Sequence, residues 1–261
     1  MPKLAVLLCA ALAATGFAGA GAARITHQAA QGAQPMADQA VYTYVALWDV
    51  PRADWADIEK FYKDARPALN KLVASGTIVA YGNARAWVHD SSGFTHANWV
   101  TASSFAQMDA ALKAIRDALP QPAAFGKSKH VDEVLRSTVH GGKPGASGTG
   151  MLWVAQYAVK PGQMDAFSQL FESQLRPLFE EQVAAGTILS YSLNFHAVHE
   201  EDPGGVSVVY LLPDAAAIDK FQAALVANEV KNPELGAAML ATMDFASHRD
   251  SIFEVLSFGQ K

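Results

Sequence analysis

The sequence predicts an α+β fold built from two copies of one strand-helix-strand-strand-helix-strand unit, the copies sharing a core as an internal pseudo-dimer. Three observations carry that prediction. Residues from about 41 to 120 recur from about 151 to 230 at a constant offset of 110 positions. Pro51 matches Pro161, Phe61 matches Phe171, Arg66-Pro67 matches Arg176-Pro177, Gly76-Thr77-Ile78 matches Gly186-Thr187-Ile188, and Val88-His89 matches Val198-His199, with no gap needed. Inside each copy the apolar residues first step by threes and fours, as on a helix, and then alternate by twos, as on a strand. Cys9, the one cysteine, lies in a leader-like segment, so packing of the 51% hydrophobic residues and not disulfide bonding must hold the units together.

The elements follow in order. Lys3 precedes an unbroken apolar run from Leu4 to Ala14 and then small residues to Ala23, which reads as a signal peptide over 1–23. Its apolar run of about eleven residues is too short for the roughly 20 that a spanning helix needs. The expectation is an exported chain, periplasmic or secreted, with no membrane association after cleavage. Residues 24–40, rich in Ala, Gln and Gly, read as a flexible N-terminal tail. Repeat 1 occupies 41–140, a Gly- and Pro-rich linker 141–150, and repeat 2 151–261.

Each repeat opens with a strand, 41–50 or 151–159, ended by Pro51 or by Pro161-Gly162. A helix follows whose stripe is Ile58, Tyr62, Ala65, Leu69 and Leu72 in one copy and Phe167, Phe171, Leu175, Leu178 and Phe179 in the other. Asp54 is the expected N-cap of the first, and Gly76 and Gly186 suit left-handed C-caps. Pro67 and Pro177 should kink both axes, each removing a backbone hydrogen bond. A long strand over 77–89 or 187–199 then forms a hairpin with 96–101 or 206–212. A second helix starts near Ser103-Ser104 or Asp214, and a last strand near 134–139 or 251–258 closes each unit.

That order is the ferredoxin-like split βαβ unit. The tandem Pro-containing helix ending in Gly-Thr-Ile, followed by a long strand carrying Tyr81 or Tyr191, resembles the dimeric α+β barrel superfamily. The resemblance implies two tandem ferredoxin-like units whose sheets pair into one intramolecular pseudo-dimeric barrel with helices outside, hence a monomer with internal two-fold symmetry. It spans nearly the whole exported chain but rests on fold-level pattern and not on a catalytic signature.

Strand alternation suggests a site. On the first long strand the even positions, Ile78 to Val88, are small or aliphatic, whereas the odd ones include Tyr81, Asn83, Arg85, Trp87 and His89. The small face suits close helix packing, which sends the large mixed face into the barrel as a ligand-binding surface. Tyr191, Phe195 and His199 extend that surface in the second copy, making the lumen polar in the first half and more apolar in the second. A buried Arg85 would need an anion, and a ligand carboxylate would serve. The other reading of the same residues is a solid interior filled by its own side chains.

Several classes are excluded or disfavoured. The net charge of −5 without a basic run argues against nucleic acid. No Gly-x-Ser-x-Gly, P-loop or dinucleotide fingerprint is present. His196 and His199 share the spacing of a helical metal pair but lie on a strand, where an odd separation puts them on opposite faces, so no metal is expected. His27, His130, His140 and His248 show no partner pattern in the sequence. The superfamily resemblance implies cofactor-free monooxygenases and haem-dependent enzymes among the relatives, while the lack of a Gly-x-x-Asp-Gly motif weakens the peroxidase branch. The leading expectation is an exported barrel that binds a small, partly apolar molecule, with no cofactor required. A cofactor-free oxygenase, a haem enzyme and a non-catalytic structural protein remain the alternatives.

Overall fold

Alternating strand segments and amphipathic helices assemble, in the computed structural model, into one closed antiparallel barrel of eight strands with helices outside. The structure describes residues 39–89, 93–198 and 204–261. The leader, the tail through residue 38 and His199 lie outside the described residues.

The first half contains β1 (Val41–Asp49), α1 (Trp55–Ala74), β2 (Ala80–Ala86), β3 (His96–Ala102), α2 (Phe105–Ala118) and β4 (Lys129–Gly142). The second contains β5 (Ser147–Val159), α3 (Met164–Leu170), α4 (Arg176–Ala184), β6 (Ser190–His196), β7 (Gly205–Leu212), α5 (Ala215–Lys231), α6 (Pro233–Thr242) and β8 (Met243–Gln260). Around the barrel the order is β1-β3-β2-β8-β5-β7-β6-β4. Each half thus contributes four adjacent strands in the same relative order, and the halves join at two seams, β2 with β8 and β6 with β4. All neighbours are antiparallel, which makes β2 and β6, four steps apart, run in the same direction. Rotation about the barrel axis therefore relates the halves.

Local chemistry accounts for the helix limits. Ser104 accepts from the Gln107 amide at 3.1 Å and Asp214 from the Ala217 amide at 2.8 Å, so both second helices are side-chain capped. Gly76 and Gly186 adopt φ of 76° and 73°, the left-handed conformation that closes the first helices. Asp54 stands at the N-cap of α1 but makes no side-chain cap bond; its carboxylate lies 3.8 Å from Lys127. The two prolines are absorbed differently. α1 runs unbroken through Pro67, whereas the second copy inserts a π-turn, Phe171–Leu175, before Pro177. That wider turn takes the Arg176 amide to the Phe171 carbonyl and places Pro177 in the first turn of α4, where its missing N–H costs little.

The register departs from a constant offset in two places. Tyr42 faces Ala102 while Met151 faces Leu212, so β1 and β5 correspond at 109 positions, with Lys160 the added residue. The seam pairs Gly142–Ser190 and Gln260–Ala80 make β4 and β8 correspond at 118, because α6 occupies the place where the first half has only the short turn Phe125–Lys127. The connection between halves is also shorter than the expected linker: β4 runs to Gly142, β5 begins at Ser147, and Lys143–Ala146 make the turn.

The helices pack on the outer face of the barrel. Phe167, Phe171, Phe179 and Phe221 form the second half's outer core, and Ile58, Tyr62, Ala65 and Leu69 of α1 the first's. A separate apolar cluster including Ala84, Ala97, Leu152, Phe253, Val255 and Phe258 lies inside.

Candidate functional site

Inside the barrel is a cavity of about 670 Å³, within the range of small-molecule pockets. Its walls come from β1 through Val41, Thr43, Val45 and Leu47, from β3 through Ala97, Trp99 and Thr101, and from β2 through Ala80 and Ala86. On β2, then, the even, small face looks inward.

This corrects the facing expected from the sequence. Tyr81 packs among the helix-side residues Ala65 and Leu69 and donates to Asn70 of α1 at 2.8 Å. Asn83 is buried on the same side and donates to Ser257 at 3.0 Å. Arg85 bridges Glu59 of α1, at 2.6 Å, and Glu254 of β8, so its charge is met within the protein and requires no ligand carboxylate. Trp87 is 57% exposed. His89 is exposed and meets the edge of Trp55 with ring centres 5.7 Å apart. Tyr191 donates to Glu180 of α4 and packs with Phe179, and Phe195 packs against the outer core. Tyr81 and Tyr191 border the cavity only while directing their hydroxyls to the helices. The physical reason is shared volume. Trp99, Phe253 and Phe258 bring bulk into the lumen from neighbouring strands, and β2 contributes the small surface beneath them. At Gly82 an added Cβ would lie 1.9 Å from the Trp99 ring.

The polarity of the lumen is likewise the reverse of the expectation. At the β6–β4 seam Ser137 stands opposite Asn194, which faces Ser207 on β7; all three are buried. The two-fold related places hold Val255, Ala84 and Ala97. Ser137 donates its hydroxyl to Asn194 Oδ1, and Asn194 Nδ2 donates to Ser192 Oγ at 3.1 Å and Ser207 Oγ at 3.4 Å. One wall is therefore a hydrogen-bonded polar patch and the opposite wall is hydrocarbon. The sequence did carry a signal: the even positions Ser190, Ser192 and Asn194 are polar where Ala80, Gly82 and Ala84 are not.

Two other polar places lie outside the lumen. Beneath α1, His96 is fully buried, and burial followed by the Arg85 charge lowers its pKa to about 4, so the ring is neutral at pH 7. Its Nδ1 is 3.0 Å from Thr95 Oγ1, while its Nε2 and the nearby Tyr62 hydroxyl have no hydrogen-bond partner among the described residues. The second place is duplicated. His248 stacks on Tyr157, 4.4 Å between ring centres, and contacts Asp250 at 3.2 Å, and Asp250 also accepts from Trp153 at 2.7 Å. In the first half His130 stacks on Trp48 at 4.6 Å, lies 3.7 Å from Asp132, and Asp132 hydrogen-bonds Tyr44. The two His-x-Asp pairs correspond only at the offset of 118, which hid them from a comparison at 110.

Among the described residues no three His, Cys, Asp or Glu side chains converge as a metal set. Haem would find few partners on the described lining of the lumen. The one histidine on its wall among the described residues, His140, holds its Nε2 3.1 Å from the Gln39 carbonyl, and no arginine lines the cavity to meet propionates.

No family model and no curated protein sequence matches the chain. Solved structures do. A monooxygenase-like protein of Fusobacterium nucleatum superposes with a TM-score of 0.59 at 9% identity, covering 87% of this chain and 96% of its own. Another from Lactobacillus acidophilus gives 0.55 at 7% identity, covering 85% and 96%. At such identities the likeness reports architecture only. With the closed eight-strand barrel and its outer helices, it establishes that the chain has the fold of the dimeric α+β barrel superfamily.

Proposed function

We propose that this protein binds one small, partly apolar organic molecule inside its barrel, as an exported monomer built from two tandem ferredoxin-like units. The observation that carries the reading is the 670 Å³, largely apolar interior with a hydrogen-bonding patch at the β6–β4 seam. A wall of this kind supplies hydrophobic affinity over most of the ligand and a fixed orientation at one end. The leader at 1–23 supports export, and the equivalent strand order of the two halves supports the tandem units.

The test is a neutral lipophilic fluorophore, N-phenyl-1-naphthylamine, titrated against the protein and against Ala97→Phe. Ala97 is buried and lines the cavity, so a phenyl ring there would occupy lumen space. Saturable fluorescence enhancement with the parent protein, lost in the variant at unchanged circular dichroism, is the expected result. Equal enhancement in both would move the site elsewhere.

A second reading, cofactor-free oxygenase chemistry, is favoured by one observation: neutral, buried His96 with an unpartnered Nε2 under α1 beside an equally unpartnered Tyr62 hydroxyl. A neutral Nε2 there could accept the proton of a phenolic hydroxyl brought within reach of it. Asn83 and Trp87, the residues that the sequence offered for such a role, do not belong to it, the first being bonded to Ser257 and the second facing solvent. Oxygen uptake on electron-rich phenols that vanishes in His96→Ala would establish this activity, and a lack of uptake in the parent protein would dismiss it.

A further inference from the structure

The polar patch says more than that a ligand is held; resting on the lumen-binding reading above, it narrows what the ligand carries. Asn194 is saturated within the wall, its carbonyl taking the Ser137 hydroxyl and its amide hydrogens going to Ser192 and Ser207. Ser192 and Ser207 thus act as acceptors toward Asn194, which turns their own O–H groups away from it. Neither hydroxyl has an acceptor among the described residues, and both serines line the cavity. The wall therefore presents two neighbouring donors that share one orienting amide.

The charged groups complete the argument. Among the described residues no arginine lines the cavity. The lysine on the lining is Lys261, beyond the end of β8, with its Nζ beside Gly76 at the foot of α1. Glu133 and Glu180 are the acids on the lining. An anionic head at Ser192 and Ser207 would be desolvated with no cation to meet it, which is strongly unfavourable. An ammonium would find hydroxyl donors already oriented by Asn194. A neutral acceptor has neither difficulty. Across the lumen the two-fold related wall offers Trp99, Phe253, Phe258 and Ala97, packed with Ala84 and Val255 behind them, a surface for hydrocarbon.

We infer that the lumen selects an uncharged amphiphile whose polar end is a carbonyl oxygen, accepting hydrogen bonds from Ser192 and Ser207, with its hydrocarbon portion against the Trp99 and Phe253 wall. The class comprises ketones, aldehydes, esters and amides with an apolar body, and it excludes carboxylates of the same length.

The experiment displaces N-phenyl-1-naphthylamine at pH 8 with 2-nonanone, nonanoate and nonane, on the parent protein and on the Ser192→Ala, Ser207→Ala double variant. The ketone is expected to compete at least about tenfold more strongly than nonanoate, and to lose about tenfold in the double variant as two neutral hydrogen bonds are removed, while nonane is unchanged. Nonanoate competing as well as the ketone, or a ketone indifferent to the double variant, overturns the inference while leaving lumen binding in place. A fluorophore that never enters the parent protein removes the binding reading itself, and the inference with it. Single Ser207→Ala, measured by thermal unfolding, checks that lost affinity is not lost folding.

Discussion

Gly82 offers the sharpest test of which face of β2 looks inward. Gly82 and Trp99 are directly paired across β2 and β3, and a Cβ at 82 would sit 1.9, 2.2 and 2.5 Å from three atoms of the indole. Ordinary carbon contacts lie at about 3.5–4.0 Å, so Gly82→Ala obliges the ring to retreat by roughly 1.5–2 Å. Overpacking of this kind costs about 1–3 kcal/mol, offset by about 0.5–1 kcal/mol from removing a strand glycine. The net loss of about 1–2 kcal/mol corresponds to a fall in Tm of roughly 2–8 °C for a chain of this size. The second half supplies the control: Ser192, the counterpart of Gly82, carries a side chain and faces Val209 instead of tryptophan. The assay is a double-mutant cycle by urea unfolding, with Gly82→Ala made in the parent and in Trp99→Val. A coupling of about 1–3 kcal/mol is expected, the alanine becoming neutral or stabilising once the indole is gone. Additive effects within about 0.5 kcal/mol would refute the inward facing of β2 and, with it, the lumen site.

Two pH effects follow from groups outside the lumen. His96 has a folded-state pKa of about 4 against about 6.5 unfolded, so in that interval the unfolded chain binds the extra proton. Its contribution is therefore complete above pH 6.5 and is lost as pH falls toward 4, by about 3 kcal/mol. His96→Phe should flatten urea-unfolding stability between pH 4 and 7, and an unchanged slope would show that His96 is not buried as a neutral ring. Asp250 is pushed up by burial, but the His248 and Trp153 hydrogen bonds outweigh this and hold its carboxyl below the usual range. Its contribution is present above the unfolded value of about 3.9 and disappears as pH drops through the lower folded one. Asp250→Asn should remove the acid-side loss attributable to this group, and equal acid sensitivity of parent and variant would contradict the assignment.

Much of the architecture was legible because it depended on local rules. The order of elements, the left-handed Gly76 and Gly186, and the caps at Ser104 and Asp214 each follow from a few neighbouring residues. The site was less legible because the inward face of a strand is decided by its neighbours. Judged alone, Tyr81, Asn83 and Arg85 look like a binding surface. In the barrel each finds a partner beyond its own strand, at Asn70, at Ser257, and at Glu59 and Glu254. The small residues Ala80, Gly82 and Ala84 make room for Trp99 and the phenylalanines of β8, a complementarity that no single strand reveals. The paired His130–Asp132 and His248–Asp250 escaped for a different reason: α6 lengthens the second half before its last strand, so identity at 110 could not align them.

The position of the cavity explains what a tandem arrangement makes available. Because β2 and β6 run the same way around a closed sheet, the axis relating the halves passes along the lumen. Two identical chains pairing through such an axis would place every lumen residue twice. An Asn194 patch would then face a second copy of itself, and a ligand with one polar end would find its hydrocarbon lying on hydroxyls. Joining the halves in one chain releases that constraint. Ser137, Asn194 and Ser207 can occupy one seam while Val255, Ala84 and Ala97 occupy the other, with the backbone pairing at both seams unchanged, down to the bulge that each shows at the same place. These seam positions differ in polarity while the strand pairing around them is the same. Tyr81 and Tyr191, on the outer face, keep the same residue and the same attachment to the helix, at Asn70 and Glu180, themselves 110 positions apart. Shared strand pairing with a polarised interior is the pattern expected when two copies supply the scaffold and their difference supplies a site, and under the proposed lumen binding it corresponds to one bound molecule per chain and not two.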